Sequence, residues 1–335
     1  MKEIFYGYLT LLLFQLSVIS KTLYAEDKPA FQSLVSISYI PVTSWKIGNP
    51  MEASPGRSPK ADWWGELDYE LDTNSFTIYQ GEICYDSRFK LGLGVDVNDN
   101  VVGKLSSIIG YLGYKDFSVR ASRGKITGTA NWIGDQVPGQ PQKAKVDTKY
   151  MSTDLLYSFD SLLLIDYIGI SYTEYTIPVP LEAGFCHAYD DNTNFKTYSF
   201  IFGVDTVNSA AMNARYGLRL WVAMDMGIGY GRLKISDEGM RRMRESLLLY
   251  SSLSSSRYSL KDKQKYSLNN IQGDATLGLF YLMDLDYTTI GIGVGYNFSG
   301  RWAMAVGSGV GGEESINTEH YMYHHGVVFK VITTL

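Results

Sequence analysis

The sequence predicts an all-β fold: an antiparallel transmembrane β-barrel of about 12–14 strands with one short helical loop segment. Three observations carry that expectation. Apolar and polar residues alternate with period two in segment after segment. The polar faces hold charged residues at successive positions, which a packed sandwich core would not tolerate and a water-filled lumen would. The apolar faces end in aromatics, as with Tyr198, Phe200 and Phe202 or Tyr296 and Phe298, the arrangement of interfacial girdles.

Bulk composition agrees. The 335 residues are 19% charged and 14% aromatic, with 26 Tyr, and 33 Gly stand against 9 Pro. Few charges, many tyrosines and many glycines suit a chain with two solvents to satisfy. A mean hydropathy of −0.10 argues against a bundle of membrane-spanning helices. The net charge of −5 and a pI near 5.5 argue against nucleic acid as a partner, because a phosphate-binding surface is normally basic.

At the N-terminus, Met1-Lys2-Glu3 precedes an apolar run from Ile4 to Ile19, and Leu23-Tyr24-Ala25 precedes Glu26. A basic start, an apolar core and a small residue before the charge predict a signal peptide over 1–25 and one barrel domain over 26–335. A membrane anchor is the rival. Gln15, Ser17 and the shortness of the run weigh against it.

Along the mature chain, 64–72 places Gly65, Leu67, Tyr69 and Leu71 on one face and Glu66, Asp68, Glu70 and Asp72 on the other. In 88–98, Phe89, Leu91, Leu93, Val95 and Val97 alternate with Arg88, Lys90, Gly92, Gly94 and Asp96. The stretches 217–231 and 289–298 repeat the pattern, the second with Gly291, Gly293 and Gly295 on its small face. Weaker candidates are 32–42, 76–86, 105–114, 117–127, 147–159, 162–175, 196–206, 273–285, 300–312 and 325–335. Turn-like pairs such as Lys115-Asp116, Asp160-Ser161 and Ser299-Gly300 separate several of them.

Four connections read as long: 43–63, 128–146, 176–195 and 237–272. The last opens with a helix over 237–250, for which Asp237 is a candidate cap and Met240, Met243, Leu247 and Tyr250 share a face. With 14 strands and both termini in the periplasm, three of the four would fall on the periplasmic side, against the usual pattern of short turns there.

The final segment, Gly326 to Leu335, sets Val327, Phe329, Val331 and Leu335 on one face. It resembles the C-terminal strand of bacterial outer-membrane β-barrel proteins. Leu335 stands where that family usually has an aromatic residue, and Ile332 interrupts the polar face. The resemblance implies a closed sheet of even strand number in the outer membrane. It also implies outer-membrane lipid as surroundings and recognition of 326–335 by the barrel-assembly machinery.

Chemistry-bearing residues are few. The ladder Glu66, Asp68, Glu70 and Asp72 either lines a cation-biased pore wall or sits on a solvated extension beyond the membrane. Arg88, Lys90, Arg120 and Arg219 could face it across a lumen, and Asp96 joins the candidate lining. The basic helix either plugs the lumen and pairs with the ladder or is a solvated loop. The inward glycines either widen a channel or seat neighbouring aromatics. Cys84 and Cys186 are a candidate disulfide in an oxidising compartment. His187, His320, His324 and His325 match no nucleophile motif, and Asp190-Asp191-Asn192 reads as turn chemistry rather than a calcium loop. No catalytic residue, metal or cofactor is expected. The functional expectation is a passive channel for small polar solutes or ions. The alternatives are a plugged barrel acting as a surface adhesin or structural protein and, third, an outer-membrane acyl hydrolase or protease.

Overall fold

The computed structural model describes residues 31–41, 44–48, 66–71, 75–85, 89–98, 105–133, 143–159, 165–183, 186–207, 216–253, 265–285, 288–308 and 315–334. The expected signal peptide, 1–25, and Leu335 lie outside them. The elements are β1 (Phe31–Pro41), β2 (Ser44–Gly48), β3 (Glu66–Leu71), β4 (Ser75–Tyr85), β5 (Phe89–Asn98), β6 (Leu105–Tyr114) and β7 (Phe117–Ile133). They continue with β8 (Lys143–Ser158), β9 (Tyr167–Ala183), β10 (Cys186–Asp205), β11 (Gly217–Lys234), α1 (Asp237–Leu253), β12 (Lys265–Asp284), β13 (Thr289–Ser308) and β14 (Ser315–Thr334).

Twelve of these strands close an antiparallel barrel, in the order β1-β4-β5 and onward to β14, which pairs back onto β1. β2 prolongs β1 along the same partner: Leu34–Tyr39 face Thr334–Phe329, and Ser44–Gly48 then face His325–Tyr321. β3 pairs with β7 at Gly128–Ile133, past the stretch Phe117–Gly124 that pairs with β6.

The count of twelve lies within the expected range of about 12–14, and two places account for the higher figure. The stretch 64–72 alternates like a barrel strand, but its partner is a single protruding strand. Ser299 and Gly300 look like a turn, yet they lie inside β13 opposite Asp274 and Gly273 on one side and His324 and Tyr323 on the other. Alternation reports which face a residue takes and is silent about its partner. With twelve strands the sidedness conflict disappears. Both barrel termini and the β4–β5, β6–β7, β8–β9, β10–β11 and β12–β13 turns share one end, and all four long segments sit at the other.

Two of those segments are largely strand. β9 runs to Ala183 and β10 starts at Cys186. Pro178 and Pro180 are tolerated because β8 stops pairing at Thr176, leaving β9 bonded there to β10 among the described pairings.

The outer surface is an apolar belt. Leu91, Leu93, Leu112, Ile170, Leu218, Leu220, Ile228, Leu277, Ile292 and Val331 are all exposed. Exposed apolar area on this scale is costly in water and fits hydrocarbon. At about 3.3 Å per residue and a tilt of about 40°, the stretch Leu218–Tyr230 stands roughly 30 Å tall. At the turn end, Tyr85, Phe89, Tyr114, Phe117 and Tyr157 occupy successive cross-strand pairs from β4 to β8. At the other end, Tyr172, Tyr198 and Tyr230 do the same on β9 to β11. Beyond them the outer face turns polar, with Glu174 accepting from Tyr172 and Asn194.

Candidate functional site

The barrel's inward face has three layers. At the turn end lies an apolar layer of Leu34, Val207, Trp221, Phe280, Leu282, Val328 and Ile332, with Ile78 against it. Leu34 and Ile78 come from β1 and β4, and Val207 and Trp221 from the end of β10 and from β11, nearly the far side of the ring. The cluster runs along neighbouring strands, from β4 through β1, β14, β12 and β11 to the end of β10. Trp221 meets Phe280 edge-on with ring centroids 5.7 Å apart, and Lys330 Nζ lies 5.7 Å from the Trp221 ring. The inward glycines of β13 make room for this: a Cβ on Gly293 would fall 2.0 Å from a Phe280 ring carbon. They seat an aromatic ring instead of widening a passage.

The middle layer is charged. Arg120 on β7 donates through Nε to Asp154 on β8 at 2.7 Å and through a terminal nitrogen to Asp225 on β11 at 2.6 Å. Tyr167 donates to the same Asp225 oxygen at 2.9 Å, and Ser171 donates to Asp154 at 2.6 Å. Asp225 is directly opposite Asp274 on β12, whose carboxylate accepts from Asn297 at 3.2 Å. Asp274 is exposed although strands surround it, while Leu268 and Phe280 on the same inward face are buried. The polar layer is thus a chamber between two apolar layers.

The third layer closes the loop end. Tyr175, Val179, Phe195, Leu233, Ile235, Tyr266, Leu268 and Ala303 bury Met240 and Met243 of α1. Tyr175 and Phe195 stack with centroids 4.9 Å apart, and Arg301 from β13 sits 5.1 Å from the Tyr175 ring. Here β9 and β14, five places apart around the ring of twelve, come within 8 Å between Cα atoms.

The helix combines the two expected roles. Its methionine face docks onto the barrel's inner wall, and its charged face stays in solvent. Glu238 pairs with Arg241 and Arg242, and Arg241 also with Glu245. These groups hold the Glu238 carboxyl down to about 2, through hydrogen bonds from Arg241 first and Arg242 second. The cap is Ser236 rather than Asp237: its hydroxyl accepts the Gly239 N–H at 3.0 Å. Ser236 is held in turn by the buried Asp190, which accepts its N–H at 2.8 Å and its hydroxyl at 2.6 Å, and the Thr193 hydroxyl at 2.7 Å. Asp190 sits where β10 breaks register, so the oxygen-rich run expected to be turn chemistry is a bulge that anchors a helix.

The expected lining residues do not converge. Glu66, Asp68 and Glu70 lie on β3, outside the closed ring, opposite Ile133, Asn131 and Thr129; Asp72 and Arg88 fall outside the described residues. Lys90 lies on β5 opposite Cys84 and Gly113, near the turn end. Asp96 lies on the same strand opposite Ile78 and Ser107. Arg219 donates to the Tyr216 carbonyl at 3.1 Å, also at the turn end. Arg120 is the one basic candidate at the centre, and its partners are Asp154 and Asp225. Cys84 is at the turn end of β4 and Cys186 opens β10 at the loop end, so the fold separates them far beyond the roughly 7 Å limit for a disulfide. His325 faces outward, bonded to the Tyr296 hydroxyl at 2.5 Å and stacked on Tyr323, away from the chamber. The side chains of His187, His320 and His324 fall outside the described residues.

No protein-family model matches the chain, and no curated protein is significantly similar to it. Among solved structures, the crystal structure of the outer membrane protease OmpT from Escherichia coli aligns at 10% identity and a TM-score of 0.27, covering 93% of this chain and 100% of that one. A likeness that faint has no bearing on activity.

Proposed function

We propose that this chain is an outer-membrane barrel, closed across its lumen, whose working surface is the wall projecting at the loop end. The carrying observation is the closure itself. An apolar layer lines the turn end from Leu34 and Ile78 round to Val207 and Trp221. At the loop end α1 packs on the inner wall, and β9 comes within 8 Å of β14, five places away round the ring. An open passage for polar solutes needs a continuous polar lining, and both layers interrupt it.

The outer-membrane setting is supported by the apolar belt, the two rows of aromatics and the even strand count. A strand of about 9–11 residues suffices to cross. β10, β12, β13 and β14 have 20 residues each, so a tall wall projects past the belt. That wall suits a surface-binding or structural role.

A gated passage for small polar solutes is the second reading, supported by the exposed Asp274 in a charged chamber. Conductance separates the two. The mature chain, refolded in detergent and shown to be folded by heat-modifiable migration, is placed in a planar bilayer. A closed barrel gives no steps. Steady ion-conducting steps from the unmodified chain would overturn the closed reading.

A further inference from the structure

The outer face just past the Tyr172–Tyr198–Tyr230 row is basic, in a chain whose net charge is −5. Two cross-strand pairs there set like charges directly opposite each other: Lys196 against Arg232, and Lys234 against Lys265. All four side chains are exposed. Directly opposed like charges destabilise a sheet unless something else neutralises them. Among the described residues of these rungs, the acid is Glu174, 3.3 Å from Lys196. One carboxylate does not balance four cations.

These side chains cannot turn inward, because the inward positions between them are filled by Phe195, Leu233, Tyr266 and Leu268. They border the apolar belt on the side of the long loops, the level at which a bilayer presents its headgroups. Long basic side chains at that level reach along the apolar surface and place their charge among the headgroups. We propose that this face of β10–β12 binds phosphate-bearing lipid headgroups of the leaflet at the loop end. Each opposed cation pair would be bridged by a phosphate through charge-assisted hydrogen bonds.

The proposal rests on the membrane-spanning reading, and its test separates the two. The mature chain in dodecyl maltoside is titrated with diphosphoryl lipid A, and retained lipid is counted by native mass spectrometry. Each basic residue near a charged lipid surface contributes about a factor of five in affinity. The variant R232Q/K234Q/K265Q should therefore bind on the order of 100-fold more weakly at low salt. The control K115Q/R241Q/R244Q, which removes as many charges elsewhere, should bind like the unmodified chain. The dephosphorylated lipid should bind both poorly. Equal retention by the patch variant, or displacement of the lipid by inorganic phosphate alone, would overturn the proposal while leaving the membrane reading intact. A chain that stays soluble without detergent would overturn both.

Discussion

Phe280 packs over Gly293, so close that a single added methyl group on the glycine would overlap the ring. The packing of the apolar layer at the turn end depends on this nesting. G293A should force Phe280 from its place and cost about 1–3 kcal/mol, the usual price of overpacking. F280A should cost about 3–5 kcal/mol through the cavity it leaves. Both are checked by urea unfolding of the barrel in detergent. A G293A midpoint equal to that of the unmodified chain would mean that Phe280 does not hold this position.

If the Trp221–Phe280 layer is what stops ions, its removal should be visible electrically. W221A/F280A, combined with deletion of 238–252 from α1, should conduct where the unmodified chain is silent. Deletion of the helix segment alone should leave the turn end shut and the bilayer quiet. Conductance from the deletion alone would assign the barrier to the helix.

The Arg120 node makes a separate prediction. R120L strips two carboxylates of their shared partner, and the Asp154 side chain is only 5% exposed. Breaking such a pair by removing one member typically costs about 3–5 kcal/mol. R120K keeps the charge but not the fork that spans β8 and β11, so it should fall between. The double change R120L/D154L should recover part of the loss. No recovery would mean that Asp225 alone holds the arginine.

Much of this fold was legible in the sequence. The faces of β5, β11 and β13 follow directly from their alternation, and Leu218, Leu220 and Ile228 are exposed where the pattern puts the lipid side. Strand number was legible only as a range of about 12–14, because Glu66 to Leu71 alternates as cleanly as any barrel strand and only its partner reveals what it is. The interior was harder still. Arg120, Asp154 and Asp225 are single charges far apart in sequence, and registers over β7–β11 bring them together. The ladder Glu66, Asp68 and Glu70 is far more conspicuous in the sequence, yet it lies on β3 outside the ring. Its density is itself a sign of easy solvation.

The two faces of α1 should respond differently to mutation and to pH. M243A empties a fully buried site and should cost about 2–5 kcal/mol of lid docking. R241Q alters an exposed network and should change little. The Glu238 carboxyl is lowered from 4.5 to about 2. Its contribution is therefore complete above about pH 4.5 and is lost as the pH falls toward 2. Near neutral pH the lid should be insensitive to acid. Proteolysis of the 237–264 segment, followed by mass spectrometry, reads both effects.

Asp190 gives the sharpest test of how the lid is held. Its carboxylate is fully buried and accepts from the Ser236 N–H, the Ser236 hydroxyl, the Thr193 hydroxyl and the Asn192 N–H. D190N keeps the shape but replaces one acceptor oxygen with a donor that faces donors. Each lost charged hydrogen bond is worth about 1.5–3 kcal/mol. S236A removes the cap and one bond to Asp190, for about 1 kcal/mol. If Asp190 anchors the helix, D190N should free α1 for proteolysis and leave the barrel's own unfolding midpoint almost unchanged, because β10 is paired on both sides without it. Were the barrel to lose stability in step with the lid, Asp190 would be holding the β10 bulge itself, and the helix would be a passenger on it.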